Sequence, residues 1–310
     1  NSGLDALILA FRALRIGKGN EVIVPANTFI ASVIGITENG ATPIFVEPDE
    51  YYNLDADKIE ASITERTKAI LVVHLYGQGA NMEKIKAIAE KHKLYLVEDC
   101  AQSHGAKVGG LMTGSWGDIG CFSFYPTKGI GAFGDAGAII CKNKKLKESL
   151  EKLRNYGSTT KYIHEVIGIN SRLDELQAGL LSIRLFHYEE ALEERRQLAS
   201  MYLENIHNKK ILLPQVREKC NPVWHLFVIQ VDDREKFQEH LSSNGIETMV
   251  HYPIPPHLSR GYEYLGYGQG EFPISEKLAK HIISLPLYEG MKLEEINFVI
   301  EAVNKYKGKR

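Results

Sequence analysis

Several short stretches of this chain are apolar and β-branched with almost no polar interruption: Glu21–Val24, Thr42–Val46, Ala69–His74 and Leu94–Glu98. A strand with one face in water alternates apolar and polar residues. Ala69–Val73 does not, so a sheet built from such runs must be covered on both faces. Amphipathic helical patterns at Leu4–Leu14, Ala31–Glu38, Met82–His92 and Lys145–Tyr156 lie between or beyond these runs, with further strand-like runs at Ile119–Ser123 and Ala138–Cys141. This alternation predicts an α/β fold with a mostly parallel mixed sheet between helices.

The texture changes further on. Ser171–Ile206 is helical and highly charged, as one long helix or two with a break. After Pro214 come a strand-like Trp224–Val231, a helix near Glu235–Asn244, a strand-like Glu247–His251, and helices at Ser275–Ile282 and Leu293–Tyr306. The expected organisation is a large domain over 1–206 and a smaller α+β C-terminal domain over 207–310. A chain of 310 residues can supply both cores. Asn1 opens directly onto a glycine turn and a helix, which reads as a trimmed start lacking whatever precedes that turn.

Bulk properties exclude several classes. The formal net charge of −2 gives no reason to expect nucleic acid or an anionic membrane as partner. No apolar run approaches the ~20 residues of a membrane span, and no signal-peptide pattern is read at the opening of the sequence. Cys100, Cys121, Cys141 and Cys220 lack C-x-x-C spacing and read as core thiols in a reducing cytoplasm. Eleven histidines show no metal-ligand spacing, so no metal site is expected.

Lys128 stands in odd company. It follows the aromatic run Cys121–Phe122–Ser123–Phe124–Tyr125 and sits between Pro126 and Gly129. An ammonium held there loses hydration, which lowers its pKa, and a neutral amine can form a Schiff base with a carbonyl. A lysine beside Gly and Pro can equally be a loop residue. Ser2–Gly3 at a helix start offers free N–H groups to a phosphate, or Ser2 merely caps the helix. Asp99 follows a buried strand, where open α/β sheets bind ligands, or caps a helix. Ser123 can donate to a phosphate or to a neighbouring backbone group. Phe29 can stack on a ring or fill the core, and Asn170 and Arg172 can serve a site or cap the helix that follows.

The order of these segments carries more than any one of them. With Glu21–Thr28, His74–Gln78, Gly134–Ala138, Gly245–Thr248, His251–Pro253 and Ser284–Tyr288, the sequence resembles the DegT/DnrJ/EryC1/StrS family over nearly its whole length. That family comprises nucleotide-sugar aminotransferases that use pyridoxal phosphate on an aspartate-aminotransferase-like (fold type I) scaffold. The resemblance implies that Lys128 carries the cofactor as a Schiff base and shuttles protons. Asp99 would pair with the pyridine nitrogen, Gln102 would bond the phenolic oxygen, and Phe29 would stack on the ring. Ser2, Gly3, Ser123 and the amides near Leu4 and Asp5 would hold the phosphate. Asn170 would reach it from the other subunit of a homodimer. Leu4 stands where the family usually has threonine, which removes one hydroxyl from the phosphate.

The implied reaction moves an amino group from L-glutamate to a nucleotide-linked ketosugar. Tyr125–Lys128, Gly131–Asp135, His251–His257 and Leu265–Tyr267 look most like enzymes acting at C3 of dTDP-3-keto-6-deoxyhexoses, giving a dTDP-3-amino-3,6-dideoxyhexose. A C4 aminotransferase on a UDP- or dTDP-4-ketosugar is the alternative, with a non-catalytic relative behind it. Sugar dehydratases of the family have histidine where Lys128 stands, which argues against that reaction. Arg172, His251 and Tyr252 are the candidates for substrate contact; Arg172 could instead pair with Asp174 or Glu175. The expected location is the cytoplasm.

Overall fold

A computed structural model describes residues 1–308. Six strands form its main sheet: β1 (Glu21–Pro25), β2 (Thr42–Val46), β3 (Thr67–Val73), β4 (Tyr95–Asp99), β5 (Ile119–Ser123) and β6 (Gly137–Cys141). Their order is β2-β1-β3-β4-β5-β6. Neighbours are parallel except β5 and β6, which run antiparallel. Successive side chains of a strand point to opposite faces, and both faces here are covered. Val22, Val24, Leu71 and Val73 pack with the apolar sides of α1 (Gly3–Ala13) and α2 (Ile30–Thr37). Ile23, Ile70 and Val72 face the other way, onto Met82, Ile85 and Ile88 of α3 (Met82–His92). Each such buried side chain stabilises the fold by roughly 1.5–3 kcal/mol relative to exposure.

α4 (Lys144–Leu153) packs beside α1 through Leu9, Leu150 and Leu153. The charged segment after residue 170 is two helices, α5 (Glu175–Phe186) and α6 (Tyr188–Asn205), broken at His187. A second sheet, β7 (Ile211–Leu212), β8 (Phe227–Val231) and β9 (Ile282–Leu285), is antiparallel with β8 in the centre. Tyr202 of α6, Phe237 of α7 (Arg234–Ser243) and Ile296, Val299 and Val303 of α9 (Leu293–Lys305) close its core. α8 (Pro273–His281) leads directly into β9.

Two local expectations are corrected. Glu247–His251 is not a strand; it makes one isolated bridge, Met249 with Ser284, and Met249 is exposed. The partner of β8 is instead Ile282–Leu285, in register from Phe227↔Leu285 to Gln230↔Ile282. Asp99 belongs to the last position of β4 rather than to the segment after it.

Candidate active site

The carboxyl end of β5 and the first residue of β6 meet the start of α1, and the ends of β3 and β4 lie alongside in the same sheet. Ser2 caps α1: its Oγ accepts from the Asp5 N–H at 3.0 Å, and its carbonyl accepts from Ala6 N–H at 3.1 Å. The Asp5 amide is therefore occupied, and the amides open at the helix start are those of Gly3 and Leu4. Gly3 is required by a close approach. A Cβ there would lie 2.5 Å from Ser123 Cβ, and one on Gly137 would lie 2.3 Å from the Ser2 carbonyl oxygen. Helix start, Ser123 and β6 thus form a cradle too tight for side chains, with positive potential at its floor.

Asp99 is buried, with Oδ2 accepting from Ser32 Oγ at 2.7 Å and Oδ1 from the Ala101 N–H at 3.1 Å. Burial pushes its pKa up, against these two bonds and the charge of Lys128. Lys128 is half-buried; burial lowers its pKa, and attraction to Asp99 partly offsets this. A carboxylate and an amine whose pKa values burial shifts in opposite directions thus share one site, as perturbed groups at functional sites do.

Gln102 is buried and bonded at both ends: Oε1 accepts from the Tyr76 N–H at 2.7 Å, and Nε2 donates to the Tyr252 hydroxyl at 3.1 Å. The ring of Tyr252 lies 5.0 Å from that of Phe29. Phe29 is exposed, its face open rather than buried in the core. His251 Nδ1 bonds Ser284 Oγ at 2.8 Å, and burial followed by the Lys128 charge lowers its pKa. Asn170 and Arg172 lie on the exterior: Arg172 Nε donates to Asn170 Oδ1 at 2.8 Å, and the guanidinium lies over the Tyr156 ring. Among the described residues Arg172 forms no ion pair with Asp174 or Glu175. Ser171, between them, donates to Asp5 at 2.7 Å and so ties this segment to α1.

Sequence reasoning missed Ser32, Tyr76, His104 and His225. His104 is packed against Phe122, Phe124 and Tyr188, and burial with the Lys128 charge lowers its pKa to about 4. His225 is shifted down in the same way and in the same order of causes. No local pattern marks these residues, because each acts through a partner distant in sequence. The motif His74–Gln78 was visible, but without a role.

His74, Glu98 and Cys100 also converge, all fully buried. Glu98 accepts from His74 Nε2 at 3.0 Å and from the amides of Gly114, Trp116 and Gly117 at 2.7–2.8 Å. Burial would raise its pKa; His74 and these amides outweigh that and hold it low. The Ala80 N–H donates to His74 Nδ1 at 3.2 Å, which leaves Nε2 as the protonated nitrogen. With these donors engaged by the protein, the cluster is a hydrogen-bond knot behind β4.

A lysine within electrostatic reach of a buried carboxylate at a strand end, on an α/β scaffold with a helix-start cradle, is an arrangement suited to group transfer. The chain belongs to the DegT/DnrJ/EryC1/StrS aminotransferase family, whose profile matches residues 1–304. It is 53% identical over 306 residues to the dTDP-3-amino-3,6-dideoxy-alpha-D-galactopyranose transaminase of Aneurinibacillus thermoaerophilus, spanning 98% of this chain and 84% of that protein. Its fold superposes on S. venezuelae DesV, solved in complex with a ketimine intermediate, with a TM-score of 0.97 at 44% identity, covering 100% of this chain and 84% of that one. It is also similar to NtdA from Bacillus subtilis with bound cofactor PMP, at a TM-score of 0.89 and 34% identity over 97% of this chain and 71% of that one.

Proposed function

We propose that this chain uses pyridoxal phosphate to move an amino group from L-glutamate to C3 of a dTDP-linked 3-keto-6-deoxyhexose, forming a dTDP-3-amino-3,6-dideoxyhexose. The observation that carries the reading is the opposition of Lys128 and Asp99, each shifted by burial toward its neutral form and each reaching the other electrostatically. The identity to a transaminase of a dTDP-3-amino-3,6-dideoxyhexose supports the sugar and the carbon.

The residues fit the cofactor. The Gly3–Ser123–Gly137 cradle and the amides of Gly3 and Leu4 suit a phosphate. Asp99, buried with two neutral donors, suits a protonated ring nitrogen. Gln102 can donate to a phenolic oxygen, and the exposed Phe29 ring can cover one face.

When bound, pyridoxal phosphate supplies an electron sink that acidifies the carbon bearing the amino group. Asp99 would hold a proton on the ring nitrogen, with the Ser32 and Ala101 donors and the charge of Lys128 favouring its carboxylate. Lys128 Nζ is the amine that would hold the cofactor covalently and, when released, would move a proton between the substrate carbon and the cofactor. Burial lowers its pKa, which favours the neutral form that this role needs. Tyr252, whose pKa burial raises, keeps its proton and can donate.

The same proposal includes a homodimer. Phe186, Ile167, Tyr162 and Phe133 are each more than 80% exposed, and a monomer gains nothing from presenting such side chains to water. Asn170, exposed on the segment next to Ile167, would complete the site of the second subunit. The four cysteines are free thiols, which supports the cytoplasmic location expected from the sequence.

Replacing Lys128 by alanine should abolish glutamate-dependent aminosugar formation and borohydride-trapped cofactor on the chain. Product analysis with dTDP- and UDP-linked 3- and 4-ketosugars checks this and the substrate; turnover by Lys128→Ala overturns the assignment.

A further inference from the structure

The turn His74–Gln78 leaves the carboxyl end of β3 and takes no part in the mechanism above. Within it Tyr76 adopts φ 60° and ψ 5°, a left-handed conformation that a bulky side chain holds only when its surroundings impose it. Its main-chain N–H donates to Gln102 Oε1 at 2.7 Å, and its hydroxyl donates to the carbonyl oxygen of His251. One residue thus grips both Gln102, after β4, and the segment that carries Tyr252 from the C-terminal part. Those two close on each other through Gln102 Nε2 and the Tyr252 hydroxyl at 3.1 Å, and Tyr252 lies against Phe29.

We propose that Tyr76 is a positioning residue of the active site, closing a circuit Tyr76–Gln102–Tyr252 that sets the orientation of the two groups. This rests on the cofactor reading above. Because Gln102 Oε1 is taken by a main-chain donor, its NH2 must point to Tyr252 and into the site. Because Tyr252 accepts from that NH2, its own proton is free to be donated. The turn is itself firmly held. Tyr76 packs edge-on against Tyr52 at 5.4 Å, Gly77 O accepts from the Val223 N–H at 2.9 Å, and Gln78 bonds Gln215 O and the Arg217 N–H. A Cβ on Gly77 would lie 2.8 Å from His225 N, so glycine there lets the C-terminal segment close on the turn. Burial keeps the protons of Tyr76 and Tyr252 in place.

The test uses Tyr76→Phe, Tyr252→Phe and the double variant, each loaded with pyridoxal phosphate. Tyr76→Phe keeps the main-chain bond to Gln102 and removes only the bond to the His251 carbonyl, so it loosens the segment that carries Tyr252. Donors to the phenolic oxygen favour its anionic form, and this loosening should raise the pH midpoint of the bound cofactor's absorbance by about half a unit. Cofactor affinity, titrated on the apoprotein, should fall about three- to tenfold, as for loss of one neutral hydrogen bond. The double variant should match Tyr252→Phe alone, since both cuts open one circuit. An unmoved midpoint with only a lower melting temperature would assign Tyr76 a packing role and overturn the inference, as would additive shifts. If the wild type forms no borohydride-trappable link at Lys128, the cofactor reading itself fails and takes the inference with it.

Discussion

At the scale of single residues, the site depends on groups held in their less charged forms. Lys128 and Asp99 stood out in the sequence because an amine after an aromatic run and a carboxylate at a strand end are unusual placements, although each also had a loop or helix-cap reading. His104 was not legible: its burial comes from Phe122, Phe124 and Tyr188, which only the fold assembles. Its pKa of about 4, against 6.5 for a free imidazole, has a consequence for stability. As pH falls through 6.5 the unfolded chain takes up a proton that the folded chain refuses until about 4. The stability this group contributes is therefore complete above 6.5 and drains away between 6.5 and 4, by roughly 3 kcal/mol at most. Melting of the apoprotein across that range should show the slope, and His104→Phe should flatten it. The flattening is partial, because His225 and His251 are shifted in the same direction. An unchanged slope in His104→Phe would refute this account.

At the scale of elements, the helices and parallel strands were legible from period. The strands of the main sheet are apolar on both faces, and α1 and α3 carry single apolar sides. The C-terminal part was less legible. Glu247–His251 has a strand's composition yet makes one bridge, while β9 lies within a stretch whose apolar run continues directly from a helix. Which of two short apolar segments pairs with β8 is a contest between distant partners, and local pattern does not decide it. The cradle at the start of α1 is an element-scale device as well, since it exists only because helix and strand touch at Gly3. Gly3→Ala should push α1 off Ser123, lowering stability by about 1–3 kcal/mol. It should also weaken pyridoxal phosphate binding more than any substitution on the exposed side of α1. Calorimetric melting and a cofactor titration of the apoprotein measure both; unchanged affinity would remove the cradle from the phosphate site.

At the scale of the whole molecule, we propose that the chain divides into a large part over 1–206 and a small part over 207–310, supported by a separate three-stranded sheet with its own apolar core. α6 ends at the proposed boundary, with Leu192 in a cluster of the large part and Tyr202 in the core of the three-stranded sheet. The exposed apolar side chains on α5 and the segment before it carry the proposed dimer. Phe186→Glu should therefore give a monomer by analytical ultracentrifugation and reduce turnover at least tenfold, with the monomer still folded by circular dichroism. A dimer that persists with full activity would place the interface elsewhere. By itself the sequence determined the alternation of strands and helices, the two covered faces of the sheet, and the ordered set that includes Asp99 and Lys128. Those follow from periodicity and residue chemistry, which are local properties of the chain. The tertiary structure alone decided that Ser32 meets Asp99, that the Asp5 amide is taken by Ser2, and that Tyr76 joins Gln102 to His251 across 26 and 175 positions. Hydrogen bonds act over about 3 Å, and no repeat in the sequence states which distant groups come that close.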